Sequence, residues 1–281
     1  MAPYNPESSG PSLNMKINKR LPTAIVLLGL LFLLVQYGSP AFIFIVLQAV
    51  ILAALIEFYN LARKKKLHPQ RLLGVFLSLV IGLSYLFRST IPLDLAFYIC
   101  VFVTGVYYVL SFKRQEQLPF FSQSIALTFF GAVYLSFTLN YLYFIRLEKG
   151  AFYIYFLCSI IFLGDTGAYF FGKLIGKHKM TPLASPNKTW EGSLGGIVFA
   201  VLGAWAGQQI LLKDVELWRA LVCGALVHAV AQMSDPLESL FKRAAGVKDS
   251  SNILPGHGGF LDRIDSFILA SPFFYYLIRY F

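Results

Sequence analysis

Apolar residues run along this chain in long blocks. They follow neither the three-and-four spacing of a half-buried helix nor the alternation of a half-buried strand. A helix that crosses a bilayer needs about 20 such residues, with a range of roughly 17 to 25. Nine segments approach or meet that length: 22–38, 40–62, 71–87, 91–112, 120–145, 151–174, 193–212, 216–234 and 265–281. The segment 71–87 is short. The segment 120–145 is long and carries polar residues, so a strong tilt or a break is expected within it. The pattern predicts an all-α, polytopic integral membrane protein with about nine transmembrane helices.

Composition agrees. Charged residues make up 14% of the 281 residues, against about 25% in ordinary soluble domains. A hydrophobic share of 57% is more apolar surface than a soluble chain of this size can hide, and it excludes disorder. The net charge of +10 would point to nucleic acid if the basic residues shared one polar face. They lie instead in short runs between apolar segments, so a lipid bilayer is expected as partner and no nucleic acid. With the N-terminus in the cytoplasm, 18 Lys and Arg fall in inside segments and 6 in outside ones. This alternation predicts nine spans with the C-terminus outside. The run Arg63 to Lys66 reads as a topology signal with attraction to anionic lipid. Cys100, Cys158 and Cys223 lie in apolar stretches without metal-site spacing and read as small buried hydrophobes. Residues 1–14 are polar and rich in Ser, Pro and Gly. They read as an expression-tag leader ahead of Met15. Residues 15–150 are expected to be a transmembrane scaffold of about five helices, and 151–281 a catalytic region with its site at the cytoplasmic face.

The polar chemistry concentrates in the second half. Asp165 sits inside an apolar segment, where a carboxylate costs roughly 2.5–3.5 kcal/mol on insertion scales and marks a functional site by default. The segment 172–192 resembles a phosphate cradle but lacks P-loop spacing. Within it, Ser185-Pro186-Asn187-Lys188-Thr189 precedes a helix, where hydroxyls, a lysine and free N–H groups suit an anion. Plain N-capping by Asn187 or Thr189 is the competing explanation. Further on, Asp235, Glu238, Ser239 and Lys242 stand at i, i+3, i+4 and i+7, so a helix through them shows one polar face. A capping box, with Asp235 as N-cap and Pro236 at N1, is the alternative. Pro255-Gly256-His257-Gly258-Gly259 cannot be helix and allows close backbone approach to a ligand. Asp262 and Asp265 share one face where the last span begins. Hard oxygen ligands without a His or Cys partner for His257 favour Mg²⁺ over zinc. The basic residues suit phosphate oxygens. Phosphoryl or nucleotidyl transfer at the cytoplasmic membrane face is the chemistry these residues support.

The ungapped run from Ser239 to Asp265 resembles the signature of the phosphatidate cytidylyltransferases, or CDP-diacylglycerol synthases. Its matching positions include Lys242, Arg243, Lys248, Asp249, Pro255, His257, Gly258, Gly259, Asp262 and Arg263. A second match joins Asp165, Gly167-Ala168-Tyr169 and Gly172-Lys173 to Ser185 through Gly192. One departure is Ser234 and Pro236 around Asp235, where the family more often has Gly before the Asp and a non-proline after it. The resemblance implies a reaction of CTP with phosphatidic acid to give CDP-diacylglycerol and pyrophosphate. It also implies Mg²⁺ dependence, with room for a second cation, a homodimer, and residence in the cytoplasmic (inner) membrane. By carry-over, Asp235, Asp262 and Asp265 would be metal ligands, with Asp165 and Glu238 as further candidates. Catalytic roles would fall to Asp235, Asp262, Lys248, Asp249 and His257. CTP or lipid phosphate would be held by Ser185, Asn187, Lys188, Thr189, Ser239, Lys242, Arg243, Lys248, Gly258, Gly259 and Arg263. Two other functions fit parts of the pattern. A CTP-dependent polyprenol or dolichol kinase shares the setting and the basic motifs. An ion-coupled transporter would use Asp165, His228 and the interrupted segment 120–145.

Overall fold

The computed structural model describes residues 26, 28–253 and 258–280. The leader 1–14, the start of the first predicted span and His257 lie outside the described residues. Among the described residues, ten α-helices follow the predicted apolar segments: α1 (Leu28–Tyr37), α2 (Pro40–Lys64), α3 (Arg71–Leu86), α4 (Leu93–Ser111), α5 (Leu118–Ala132), α6 (Thr138–Glu148), α7 (Ala151–Ile175), α8 (Trp190–Leu211), α9 (Leu217–Ala244) and α10 (Leu261–Tyr280). Among the described residues, six helical stretches are long and apolar enough to cross a membrane: α2, α4, the run from Gln115 to Glu148 that contains α5 and α6, α7, α8 and α9. The helix α3 is 16 residues long. The helix α10 carries Asp262, Arg263, Asp265 and Arg279 in its 20 residues.

The segment 120–145 does not break. Helices α5 and α6 join through a π turn at Val133–Phe137. The polar residues there bond within the bundle: Ser136 donates to the Ser78 carbonyl at 2.7 Å and Asn140 Nδ2 to the Ser136 carbonyl at 2.8 Å. Side-chain donors can thus satisfy carbonyls that a widened turn displaces.

One local alternative is overturned and one segment gains a defined structure. Asp235 is not an N-cap, and the capping-box alternative fails, because α9 runs through Pro236 without interruption. Proline removes one backbone bond. Here that loss is outweighed by packing on both sides, and Ser234 at the same level donates its hydroxyl to the Asp265 carbonyl of α10. The cradle segment 172–192 has local structure that its pattern left open. It folds into an antiparallel hairpin, β1 (Lys179–Thr181) and β2 (Ser185–Thr189), with Lys179 opposite Thr189 and Thr181 opposite Ser185. Thr189 ends the hairpin as the N-cap of α8, accepting a bond from Gly192 N at 3.2 Å.

Without water between helices, close packing and interhelical polar contacts hold a membrane bundle together. Helices α7 and α8 meet along small residues. A methyl added at Gly167 would stand 2.5 Å from Phe199 Cβ, and one at Gly192 would stand 2.8 Å from the Ala168 carbonyl oxygen. Helix α9 approaches α8 as closely, since a methyl at Gly196 would stand 2.6 Å from Gln232 Nε2. An apolar cluster of Ile51, Leu55, Phe58, Leu135, Leu261 and Ile268 joins α2 and the α5–α6 junction to α10. Cys100 and Cys223 are buried and Cys158 partly so, all as free thiols.

The helix ends sort into two levels. At one, Arg88 after α3 pairs with Glu148 of α6 at 2.9 Å, Tyr275 of α10 donates to Glu148 at 2.9 Å, and Arg146 donates to the Val35 carbonyl of α1 at 2.6 Å. At the other, the C-terminal part of α2, the end of α9, the start of α10 and the hairpin come together.

Candidate active site

A cavity of about 680 Å³ opens at that second level, between α7, the hairpin, α8, α9 and the start of α10. Four carboxylates line it, Asp165, Asp235, Asp262 and Asp265, and so do four cations, Lys173, Lys179, Lys188 and Arg263. Asn187, Thr189, Ser193, Gln232 and Ser266 add neutral donors and acceptors. A smaller cavity of about 290 Å³, lined by Tyr153, Asp214, Glu216 and Cys223 among others, contains no predicted site residue.

The carboxylates come from three helices. Asp165 is on α7, deep in the apolar segment that first drew attention to it, and Ser266 Oγ donates to it at 3.5 Å. Asp235 and Glu238 lie one turn apart on α9, as the i, i+3 spacing predicts. Asp265 faces them from α10. Oxygens of Asp235, Glu238 and Asp265 lie within 4.8 Å of one another. Glu238 is fully buried. Three carboxylates at this distance repel one another when ionised, which nearby positive charge relieves. Lys188, carried by β2, supplies part of it with Nζ 2.7 Å from Asp235 Oδ2. Lys242, one turn beyond Glu238, supplies more. Its Nζ pairs with Glu238 and lies 2.7 Å from Asp262 Oδ1. Ser239 Oγ donates to Asp235 Oδ1 at 3.3 Å.

Asp262 is bound differently from the other three. Its Oδ1 takes Lys242, and its Oδ2 accepts from Ser250 N at 2.9 Å, Ser250 Oγ at 2.8 Å and Gly259 N at 2.8 Å. The glycine loop therefore approaches a carboxylate of its own chain. Gly258 takes a left-handed φ of +81°, and a methyl there would stand 2.7 Å from Asp262 Oδ2. Both facts require glycine at this position.

Other predicted residues lie apart from this group. Arg243 does not line the cavity. It ties hairpin to loop, donating to the Ala184 carbonyl at 3.3 Å and the Val247 carbonyl at 3.1 Å. Ser185 is half-buried in β2 away from the cavity lining, and Lys248 and Asp249 are exposed beyond it. The base of the hairpin is fixed by Glu191, which accepts from Lys177 N at 3.0 Å and pairs with His178 Nδ1 at 2.5 Å.

Two polar residues near the site were not singled out from the pattern. Gln232 donates to the Ser193 carbonyl at 3.0 Å and braces α9 against α8 beneath the cavity. Glu57 of α2 is 1% exposed and accepts bonds from the loop that precedes α10. Its signal was available, since it is the sole acidic residue within the apolar segment 40–62.

Comparison with known proteins places this architecture. Residues 18–281 match the model of the cytidylyltransferase family. A protein of Staphylococcus epidermidis named phosphatidate cytidylyltransferase is 36% identical over 263 residues, covering 92% of this chain and 96% of that one. The Bacillus subtilis protein of the same name is 34% identical over 235 residues, covering 80% and 86%. One from Staphylococcus saprophyticus is 40% identical over 164 residues, covering 58% and 63%. With a family model and a relative that both span nearly its whole length, the chain belongs to the cytidylyltransferase family.

Proposed function

We propose that the protein joins CTP to phosphatidate, forming CDP-diacylglycerol and pyrophosphate, in a cavity open to the cytoplasmic face of the inner membrane. One observation carries this reading: four carboxylates and four cationic side chains line a single cavity of about 680 Å³ at one end of an apolar helix bundle. Such a site suits two anionic substrates, one from water and one from the bilayer.

The donor set fits a hard divalent cation. Carboxylate oxygens of Asp235, Glu238 and Asp265 converge within 4.8 Å of one another, the ligand type Mg²⁺ takes together with substrate phosphates. These three residues would hold it, with Asp165 as a fourth oxygen donor across the cavity. Bound there, Mg²⁺ supplies charge neutralisation for the triphosphate and for the departing pyrophosphate. Asp262, bonded to Lys242, Ser250 and Gly259, holds the start of α10 and the lysine beside the residues that would bind the metal.

Lys188, Lys173, Lys179 and Arg263 would hold phosphate oxygens, and Asn187 and Thr189 would orient them. The phosphatidate phosphomonoester is anionic near neutral pH, so its oxygen attacks the α-phosphorus without a general base on the protein. The bond from the α-phosphorus to the bridging oxygen breaks, and pyrophosphate leaves. Side-chain cations that reduce repulsion between two phosphates act where charge builds in the transition state. His257 follows the glycine loop's own start and takes no step in this scheme.

The proposed reaction implies an orientation, because CTP comes from the cytoplasm. If the hairpin and glycine loop are cytoplasmic, the chain crosses the membrane nine times with the N-terminus inside and the C-terminus outside. The 18 to 6 division of Lys and Arg and the two levels of helix ends support this. The scaffold 15–150 and the catalytic region 151–281 then work as one body, and the resemblance to the family supports a homodimer. The deciding assay supplies detergent-purified protein with Mg²⁺, CTP and phosphatidic acid. Pyrophosphate and a cytidine-bearing lipid in equal amounts are expected. CDP release without nucleotide on the lipid would instead establish a lipid kinase.

A further inference from the structure

A buried carboxylate in the first half of the chain reaches the site from α2. Glu57 is 1% exposed and its two oxygens accept four hydrogen bonds. Oε2 accepts from Ser250 Oγ at 2.9 Å and Leu261 N at 2.9 Å. Oε1 accepts from Ser251 Oγ at 2.7 Å and Phe260 N at 3.1 Å. Two of these donors precede the glycine loop and two follow it, so one side chain fastens both ends of the loop. Ser250 Oγ also lies 2.8 Å from Asp262 Oδ2, so its one hydroxyl proton is shared between the two carboxylates, and Ser250 N donates to Asp262 Oδ2 at 2.9 Å. Ser250 thus sits on a path from Glu57 to Asp262 and on to Lys242.

We propose that Glu57 is a positioning residue for the transfer reaction: by clamping both ends of the glycine loop, it sets Ser250 and thereby the orientation of Asp262 and Lys242 beside the substrate cavity. This rests on the reading of the Asp262 cavity as the active site. A role confined to helix packing would not explain the geometry. Packing needs one satisfied carboxylate, whereas here three donors come from the loop before α10 and the fourth from the first residue of α10, 193 to 204 residues away in sequence. The approach is close enough that a methyl at Gly259 would stand 2.3 Å from Glu57 Oε2, so the loop's small residue and the carboxylate are matched. Glutamine cannot replace the carboxylate here. Its NH₂ group would face donors, leaving at least one buried N–H of Phe260 or Leu261 unpaired.

The test compares Glu57→Gln, Ser250→Ala and Asp262→Asn with wild type as full-length protein in detergent. Two quantities are read: steady-state kinetics, and hydrogen exchange of the peptide covering 248–261. Partners of ligand-bearing residues typically cost about 10- to 100-fold in activity when removed. Glu57→Gln should lower kcat by about that factor with KM for CTP within about threefold. It should speed exchange in 248–261 while α7 and α8 stay protected. Ser250→Ala, which cuts only the bridge, should shift both in the same direction by less, and it decides the matter if Glu57→Gln does not fold. Unchanged kcat and loop exchange in both variants, with Asp262→Asn inactive, would overturn the proposal alone. A near-normal Asp262→Asn would overturn the site reading and the proposal with it. Faster exchange throughout the bundle with kcat per folded molecule unchanged would reduce Glu57 to a structural residue and also overturn it.

Discussion

Removal of the Lys242 charge tests the electrostatic balance of the site most severely. Its side chain is 9% exposed, and its partners Glu238 and Asp262 are 0% and 7% exposed. Lys242→Met keeps most of the side-chain volume but leaves two buried carboxylates without their shared cation. Deleting one partner of a buried pair costs about 3–5 kcal/mol, because the other charge stays buried and uncompensated. Asp262 retains its three donors from Ser250 and Gly259, so most of the loss should fall on Glu238, whose oxygens have no other partner among the described residues. That assignment gives a sharper expectation. Lys242→Met should lower the unfolding midpoint strongly in detergent. Adding Glu238→Gln should recover more than half of the loss, since it removes the unpaired charge. Asp262→Asn added to Lys242→Met should recover little. The assay is thermal unfolding of wild type, the three single variants and the two double variants at one detergent concentration, read as two double-mutant cycles. A Lys242→Met protein as stable as wild type would refute the reasoning. So would equal recovery from either second substitution.

Two further predictions concern residues away from the phosphate chemistry. Gly196→Ala puts a methyl 2.6 Å from Gln232 Nε2 and 2.7 Å from His228 Nε2. Forced separation of α8 and α9 should cost about 1–3 kcal/mol, measured as a lower unfolding midpoint, with no change expected at the open position Gly105→Ala. Lys64→Gln removes an exposed charge from the end of α2, outside the cavity lining. Turnover should stay within about twofold, as exposed charges contribute little; a large loss of CTP turnover would place the basic run in the site.

The parts of this molecule legible from the chain are those set by local pattern. Helices follow the apolar blocks because a bilayer segment admits few other backbone forms. The polar face of α9 is readable because Asp235, Glu238 and Lys242 need only helical spacing to meet. The persistence of α9 through Pro236 was not readable, since local rules favour a helix start there and packing from α8 and α10 reverses them. The hairpin at Lys179–Thr189 carries too few residues for an alternating pattern. The resemblance implies Asp235 and Asp262 as metal-site carboxylates with Asp265 beside them, and the chain alone does not show the contacts that set Asp262 apart. Its partners Lys242 and Ser250 lie 20 and 12 residues away, at no spacing that a helix or strand rule predicts. Glu57 illustrates the opposite case. Its cost in an apolar helix was evident, as for Asp165, yet the loop that repays the cost is distant in sequence.

The central claim is that carboxylates of α9 and α10 gather a divalent cation beside the lysines of the hairpin. Mn²⁺ binding followed by electron paramagnetic resonance tests it without reference to turnover. Purified wild-type protein should bind Mn²⁺, and added Mg²⁺ should compete for the same site. Asp235→Asn and Asp265→Asn should each weaken binding at least about tenfold, the factor that loss of even a supporting partner commonly reaches. Undiminished Mn²⁺ binding in both variants, by protein that remains folded, would contradict the account.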